Sequence, residues 1–294
     1  MEKIVLVLIV IINGMFGFKF IQDILKNKEE MKQEPGSNIF LAISSSIIFF
    51  FSTFGISDFA ISTILYRKKK LVSDKKLPGT LNTQCVIPVA VMALAYISVI
   101  KVDPVTLIVC IVSQIIGAYI GPRFVVKLEP KIIRKFISMG LLIATAFILA
   151  GKFNLVPSGG TATGLSGAKL VIAAISLFVY GALNNIGIGS YSLTMATIYA
   201  LGMNPAVAFP IMMGACTFSV PIGSMEFIKY GEYGRKITAF TSTFGVIGVL
   251  VAVYLVKSLN VSMLQWVIAA ILLYSGLSMI IGDIKAKKAE VAQA

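Results

Sequence analysis

The sequence predicts an all-α, polytopic membrane protein made of two inverted repeats behind one extra N-terminal helix. Each repeat is read as a broken or re-entrant helical hairpin plus three transmembrane helices. Three observations carry this. Of 294 residues, 57% are hydrophobic and 13% charged, against about 45–50% and about 25% in soluble domains. Several apolar runs reach the roughly 17–25 residues that cross a hydrocarbon core about 30 Å thick. Two of those runs are interrupted in nearly the same way, "FGISDF" at 54–59 and "IGIGSY" at 186–191.

The first apolar run, about 4–21, has one lysine and a short apolar core like a signal peptide, but no A-x-A site follows. It is read as a retained helix. A polar stretch with a Pro-Gly break completes the N-terminal segment 1–37. The first repeat, 38–152, holds a run at 39–54, the first interruption, a short run to Tyr66, a basic loop at 67–76, and spans near 80–100, 104–122 and 136–151. Residues 153–168, small and polar, form a linker. The second repeat, 169–282, holds a run to 186, the second interruption, a short run to Leu201, and spans near 205–228, 237–256 and 261–281, before a basic tail at 283–294.

The repeat is visible residue by residue. A shift of 132 sets Gly55 on Gly187, Ile56 on Ile188 and Pro78 on Pro210, and a shift of 131 sets Gly117 on Gly248. Order and spacing hold over more than 70 residues, the mark of an internally duplicated transporter-like fold. Loop charge then sets the orientation. If each interrupted segment crossed once, the copies would be parallel, and "KYGEYGRK" at 229–236 and the lysines of the tail would lie outside. If each enters and returns, every loop with three or more Lys or Arg falls on one side. The other side then keeps scattered lysines, Lys101, Lys152, Lys169 and Lys257, with Lys3 at the outer start of the first helix. The second arrangement obeys the positive-inside rule.

Composition also excludes. The net charge of +13 sits in gaps between apolar runs, at Arg67 to Lys70, Lys75, Lys76 and Arg123 to Lys135, which fits anionic headgroups and not nucleic acid. There is no histidine, so imidazole acid–base chemistry and Ser-His triads are absent. Cys85, Cys110 and Cys216 lie inside apolar runs with no metal or redox spacing. No motif implies a cofactor, a resident metal or an oligomeric state, and no phosphate-binding loop is present.

A broken helix in lipid leaves backbone polar groups bare, which is tolerated only against protein or a water-filled cavity. Helix starts exposed at such a break attract anions. The two breaks are therefore expected to meet near the midplane as halves of one site for a small anion. The candidate binding residues are Gly55, Ser57, Asn184, Asn185, Gly187, Gly189 and Ser190 at the breaks. Facing them are Asn82, Thr83, Gln84, Cys216 and Thr217 on the spans that follow. The competing reading of the glycines is close packing, and that of the Asn and Thr side chains is interhelical hydrogen bonding. Asp58 is the carboxylate of the breaks. A desolvated intramembrane acid is a functional suspect, here a proton carrier; the alternative is that it caps the helix starting at Phe59.

At these residues the sequence resembles the TauE/SafE family, the sulfite exporter and four-toluene-sulfonate uptake permeases. The likeness spans most of 38–282 and is carried by Gly187, Ile188 and Gly189, then Pro210 and "GACT" at 214–217, with divergent counterparts "GISD" at 55–58 and "GTLNTQ" at 79–84. Ser190 and Asp58 stand where the family favours glycine. The resemblance implies transport of a sulfur-containing anion, sulfite or an organosulfonate, across the cytoplasmic membrane. Coupling would be to a proton or sodium gradient, by alternating access. A passive anion channel and a non-transporting accessory subunit are the alternatives; an enzyme would need a clustered acid, base or metal set that the sequence lacks.

Overall fold

A computed structural model describes residues 2–54, 56–97, 101–153, 155, 160–187, 189–204, 207–255, 273 and 277. The expected span at 261–281, apart from two isolated positions, and the basic tail lie outside the described residues, as do Gly55 and Ile188. Among the described residues the regular structure is helical, and six helices are long and apolar enough to cross a membrane. The chain is an all-α, multi-pass membrane protein.

The helices are α1 (Glu2–Lys26), α2 (Lys28–Gln33), α3 (Asn38–Ser52), α4 (Asp58–Lys68), α5 (Leu77–Ile97), α6 (Pro104–Val125), α7 (Pro130–Lys152), α8 (Gly167–Asn184), α9 (Tyr191–Ala200), α10 (Ala208–Tyr230), α11 (Arg235–Phe240) and α12 (Val246–Leu255). A π-helical stretch at Thr241–Gly245 joins α11 to α12. Two differences from the sequence reading have plain causes. α1 runs on through Lys26, and α2 follows it after one non-helical residue, Asn27, because no Pro or Gly stands between Phe18 and Glu34. Gly36 takes the left-handed conformation (φ +107°), and Ser37 then caps α3 by accepting from the Phe40 N–H. The 153–168 linker is shortened because α8 starts at Gly167.

Burial sorts the spans into a centre and a rim. Of the spans on α5 and α10, 83% and 78% respectively are buried; the other four spans are 22–39% buried. Those outer helices turn Ile4, Val10, Val105, Val171 and Ile247 outward, the expected surface against lipid tails. α1 packs into the bundle. Ile9 and Phe16 are fully buried, and the helix packs on α10 and α5.

Two crossings are tight enough to require glycine. A Cβ on Gly117 of α6 would overlap the Phe178 carbonyl of α8, and one on Gly248 of α12 would overlap the Ser46 carbonyl of α3. Small residues let membrane helices approach backbone to backbone, where dispersion and weak polar contacts replace a hydrophobic drive.

The loops gather at two ends. At one, Arg235 pairs with Asp23 (2.7 Å) and Glu30 (3.1 Å), Lys236 donates to the Gly36 carbonyl (2.6 Å), and Lys75 donates to the Val126 and Leu128 carbonyls. Leu71 packs on Gly36, so the chain entering α3 and the chain leaving α4 lie side by side. At the other end, the Asp103 N–H donates to the Thr163 carbonyl (3.0 Å) and the Gly160 N–H to that of Met203 (2.8 Å). There Lys169 reaches the Leu201 carbonyl (3.0 Å), so the start of α8 and the end of α9 are neighbours too.

Candidate functional site

Each interrupted run stops for a local reason. α3 ends at Ser52, and α4 restarts with Ser57 as its cap, the Ser57 hydroxyl accepting from the Ala60 N–H (3.4 Å). Ser57 therefore does the capping considered for Asp58, and Asp58 is the first residue of the helix. α8 ends at Asn184, and Gly187 follows with φ +94°, a conformation that costs glycine nothing and an L side chain roughly 1–2 kcal/mol. α9 then begins at Tyr191.

The two breaks meet. A Cβ added to Gly189 would lie 2.7 Å from the Ser57 hydroxyl oxygen, so the second break passes directly over the start of α4. Between them is a small cavity. Of the expected residues, Ser57, Asp58, Asn184, Gly189, Ser190 and Cys216 line it. Phe59, Cys85, Val89, Tyr191 and Val220 complete the wall. The starts of α4 and α9, from opposite halves of the chain, thus converge on one space.

Its polar groups are incompletely satisfied. Asp58 is 2% exposed; Ser52 donates to its Oδ1 at 3.3 Å, while Oδ2 has no hydrogen-bond partner among the described residues. The same holds for Asn184 Oδ1 and the Tyr191 hydroxyl. Buried polar atoms without partners are uncommon, and at a cavity they mark where a ligand can complete the set. Ser190 and Cys216 share a hydrogen bond (3.3 Å), and Gln114 donates to the same sulfur (3.3 Å). Among the described residues Asp58 is the only carboxylate on the wall, and no Lys or Arg lines it. Among the described residues no three of Cys, Asp and Glu come together as a metal-holding group.

The other expected residues are buried but serve the frame. Asn82 donates to the Asn184 carbonyl (2.9 Å), tying α5 to the second break. Gln84 donates to Ser62 (2.9 Å) and accepts from the Tyr66 hydroxyl, fixing α4 on α5. Thr83 bonds Thr238 of α11 (2.7 Å), and the Thr217 backbone faces α1 through Asn13 (3.1 Å). Asn185 donates to the Gly181 carbonyl that ends its own helix (2.9 Å) and to the Ala118 carbonyl of α6 (3.2 Å). Gly55 lies outside the described residues.

Tyr191 and Cys85 were legible in principle. Tyr191 directly follows the second interruption, and Cys85 sits beside Gln84 on the span facing the first. Val89 and Val220 carry no polar signal and are found only by the packing.

No family model, curated protein or solved structure matches this chain.

Proposed function

We propose that the chain is a secondary transporter of a small anion, working by alternating access between two inverted repeats, each a re-entrant hairpin plus three crossings. The observation that carries this reading is the contact of Gly189 with Ser57, which brings two lipid-buried breaks and two helix starts to one cavity. Helix starts offer free N–H groups and a positive dipole end to an anion, and repeat-built transporters place their substrates at such paired breaks.

A two-fold relation between the halves is supported by an exchange of partners. Gly117 of the first half packs on Phe178 of the second, and its counterpart Gly248 (shift 131) packs on Ser46, which the shift of 132 sets on Phe178. Each hairpin also begins and ends at one face, and the two hairpins use opposite faces. The face bearing Arg67, Lys68, Lys75 and Lys236 is the cytoplasmic one, by the positive-inside rule. The cytoplasmic membrane is the proposed location, since a basic face of this kind is what the positive-inside rule expects there.

Asp58 gives the coupling. A carboxylate and an anion sharing a closed cavity of low dielectric repel each other strongly, so the anion enters with a cation that neutralises Asp58, and a proton is the simplest. The sulfur-anion class, sulfite or an organosulfonate, rests on the resemblance to TauE/SafE permeases. Flux assays in proteoliposomes test the whole reading. Uptake of labelled sulfite or an organosulfonate should follow an imposed proton or sodium gradient. Flux indifferent to both gradients would make the protein a channel, and no flux would leave it an accessory subunit.

A further inference from the structure

Prolines interrupt the hydrogen-bond ladders of α6 and α10, and each interruption is met by an asparagine from elsewhere in the fold. A proline at position i has no N–H for the carbonyl at i−4. Pro122 so deprives the Ala118 carbonyl, to which Asn185 donates at 3.2 Å. Pro221 so deprives the Thr217 carbonyl, to which Asn13 donates at 3.1 Å. Asn185 belongs to the second break, but Asn13 belongs to α1, the helix outside both repeats.

Asn13 is 6% exposed and also donates to the Ile9 carbonyl of its own helix (2.8 Å). Thr217 directly follows Cys216 and Pro221 directly follows Val220, the two residues of α10 on the cavity wall. α1 is anchored a second time at its C-terminal end. There the Tyr233 hydroxyl and the Arg235 guanidinium bind Asp23, and Glu34 accepts from the N–H groups of Arg235 (3.0 Å) and Lys236 (2.7 Å).

We propose that Asn13 is a positioning residue. Its amide replaces the backbone donor that Pro221 lacks, so the extra N-terminal helix sets the course of α10 and the placement of Cys216 at the cavity. Only its significance for transport rests on the function proposed above; the hydrogen-bond claim stands without it.

The test uses the full-length purified protein in four forms: parent, Asn13→Ala, Pro221→Ala and the double variant. Asn13→Ala should lower the melting temperature by roughly 2–4 °C, the loss expected for about one buried hydrogen bond in a chain of this size. In the Pro221→Ala background, where residue 221 supplies its own N–H, the same substitution should cost less than half as much. Alkylation of Cys216, followed by peptide mass spectrometry, should change in rate in Asn13→Ala and return toward the Pro221→Ala rate in the double variant. If Asn13→Ala does not fold alone, recovery of folding in the double variant supports the claim. Equal losses of stability in both backgrounds, or a double variant that stays unfolded, would overturn it. An unchanged Cys216 rate in Asn13→Ala would remove the positioning role. Neither readout depends on transport, so a failed flux assay leaves them interpretable.

Discussion

Gly189 and Ser57 lie in contact across 132 residues of chain: a Cβ at position 189 would come within 2.7 Å of the Ser57 hydroxyl oxygen, which would have to shift. One residue belongs to each interrupted helix. Their contact is the physical reason the two starts, α4 and α9, share a cavity.

Gly189→Val should therefore push the breaks apart, with an overpacking cost of about 1–3 kcal/mol and a loss of transport. The overlap is with a hydroxyl, so adding Ser57→Gly to a milder Gly189→Ala variant should recover part of the flux. Flux and melting temperature measured in proteoliposomes and detergent check this; full activity in Gly189→Val would contradict the contact. Gly187→Val should fail for another reason, the positive φ, and Ser57→Gly should not rescue it.

Asp58→Asn should keep anion binding and lose dependence on the ion gradient, because the amide is neutral at every pH. Thermal-shift measurement of binding, beside flux as a function of external pH, separates the two properties. Unchanged pH dependence in Asp58→Asn would remove Asp58 from coupling.

Single cysteines at Lys68 and Lys236, both on the basic face, should react with an impermeant thiol reagent from the same side of the membrane. A cysteine at Lys101 should react from the other side. Labelling of Lys68 and Lys236 from opposite sides would exclude hairpins that return to their own face.

Asp103 offers a pH test away from the membrane core. It caps α6, accepting from the backbone N–H of Thr106 and from its hydroxyl, both at 2.8 Å, and the backbone bond first holds its carboxyl below the ordinary carboxylate value. A depressed folded-state pKa stabilises above the unfolded value, about 3.9, and that stabilisation is lost as pH falls through the folded one. Asp103→Asn should thus melt below the parent at neutral pH, and the difference should shrink as the buffer is acidified below about pH 4. A gap independent of pH would mean the carboxylate's charge is not used.

Much of this fold was legible because lipid leaves few options. Long apolar runs become helices, and a glycine-serine interruption in such a run becomes a break. An offset of 131 pairs Gly117 with Gly248, and each sits at a crossing where a Cβ would overlap a backbone carbonyl. The site was legible only by region. Ser57, Asp58, Asn184, Gly189, Ser190 and Cys216 line the cavity, but Asn82, Thr83, Gln84, Asn185 and Thr217 turn to neighbouring helices. On a fully buried helix every face is apolar or weakly polar, so periodicity does not say which side meets the substrate. Asn13 carries no signal in the sequence because its partner is a carbonyl left without a backbone donor by a proline 208 positions away.

The most direct measurement is anomalous diffraction from crystals soaked in selenite, a heavier relative of sulfite. A selenium peak is expected between the start of α4 and the start of α9, bounded by Ser57, Asp58 and Ser190. A peak elsewhere in the bundle, with that cavity empty, would contradict it.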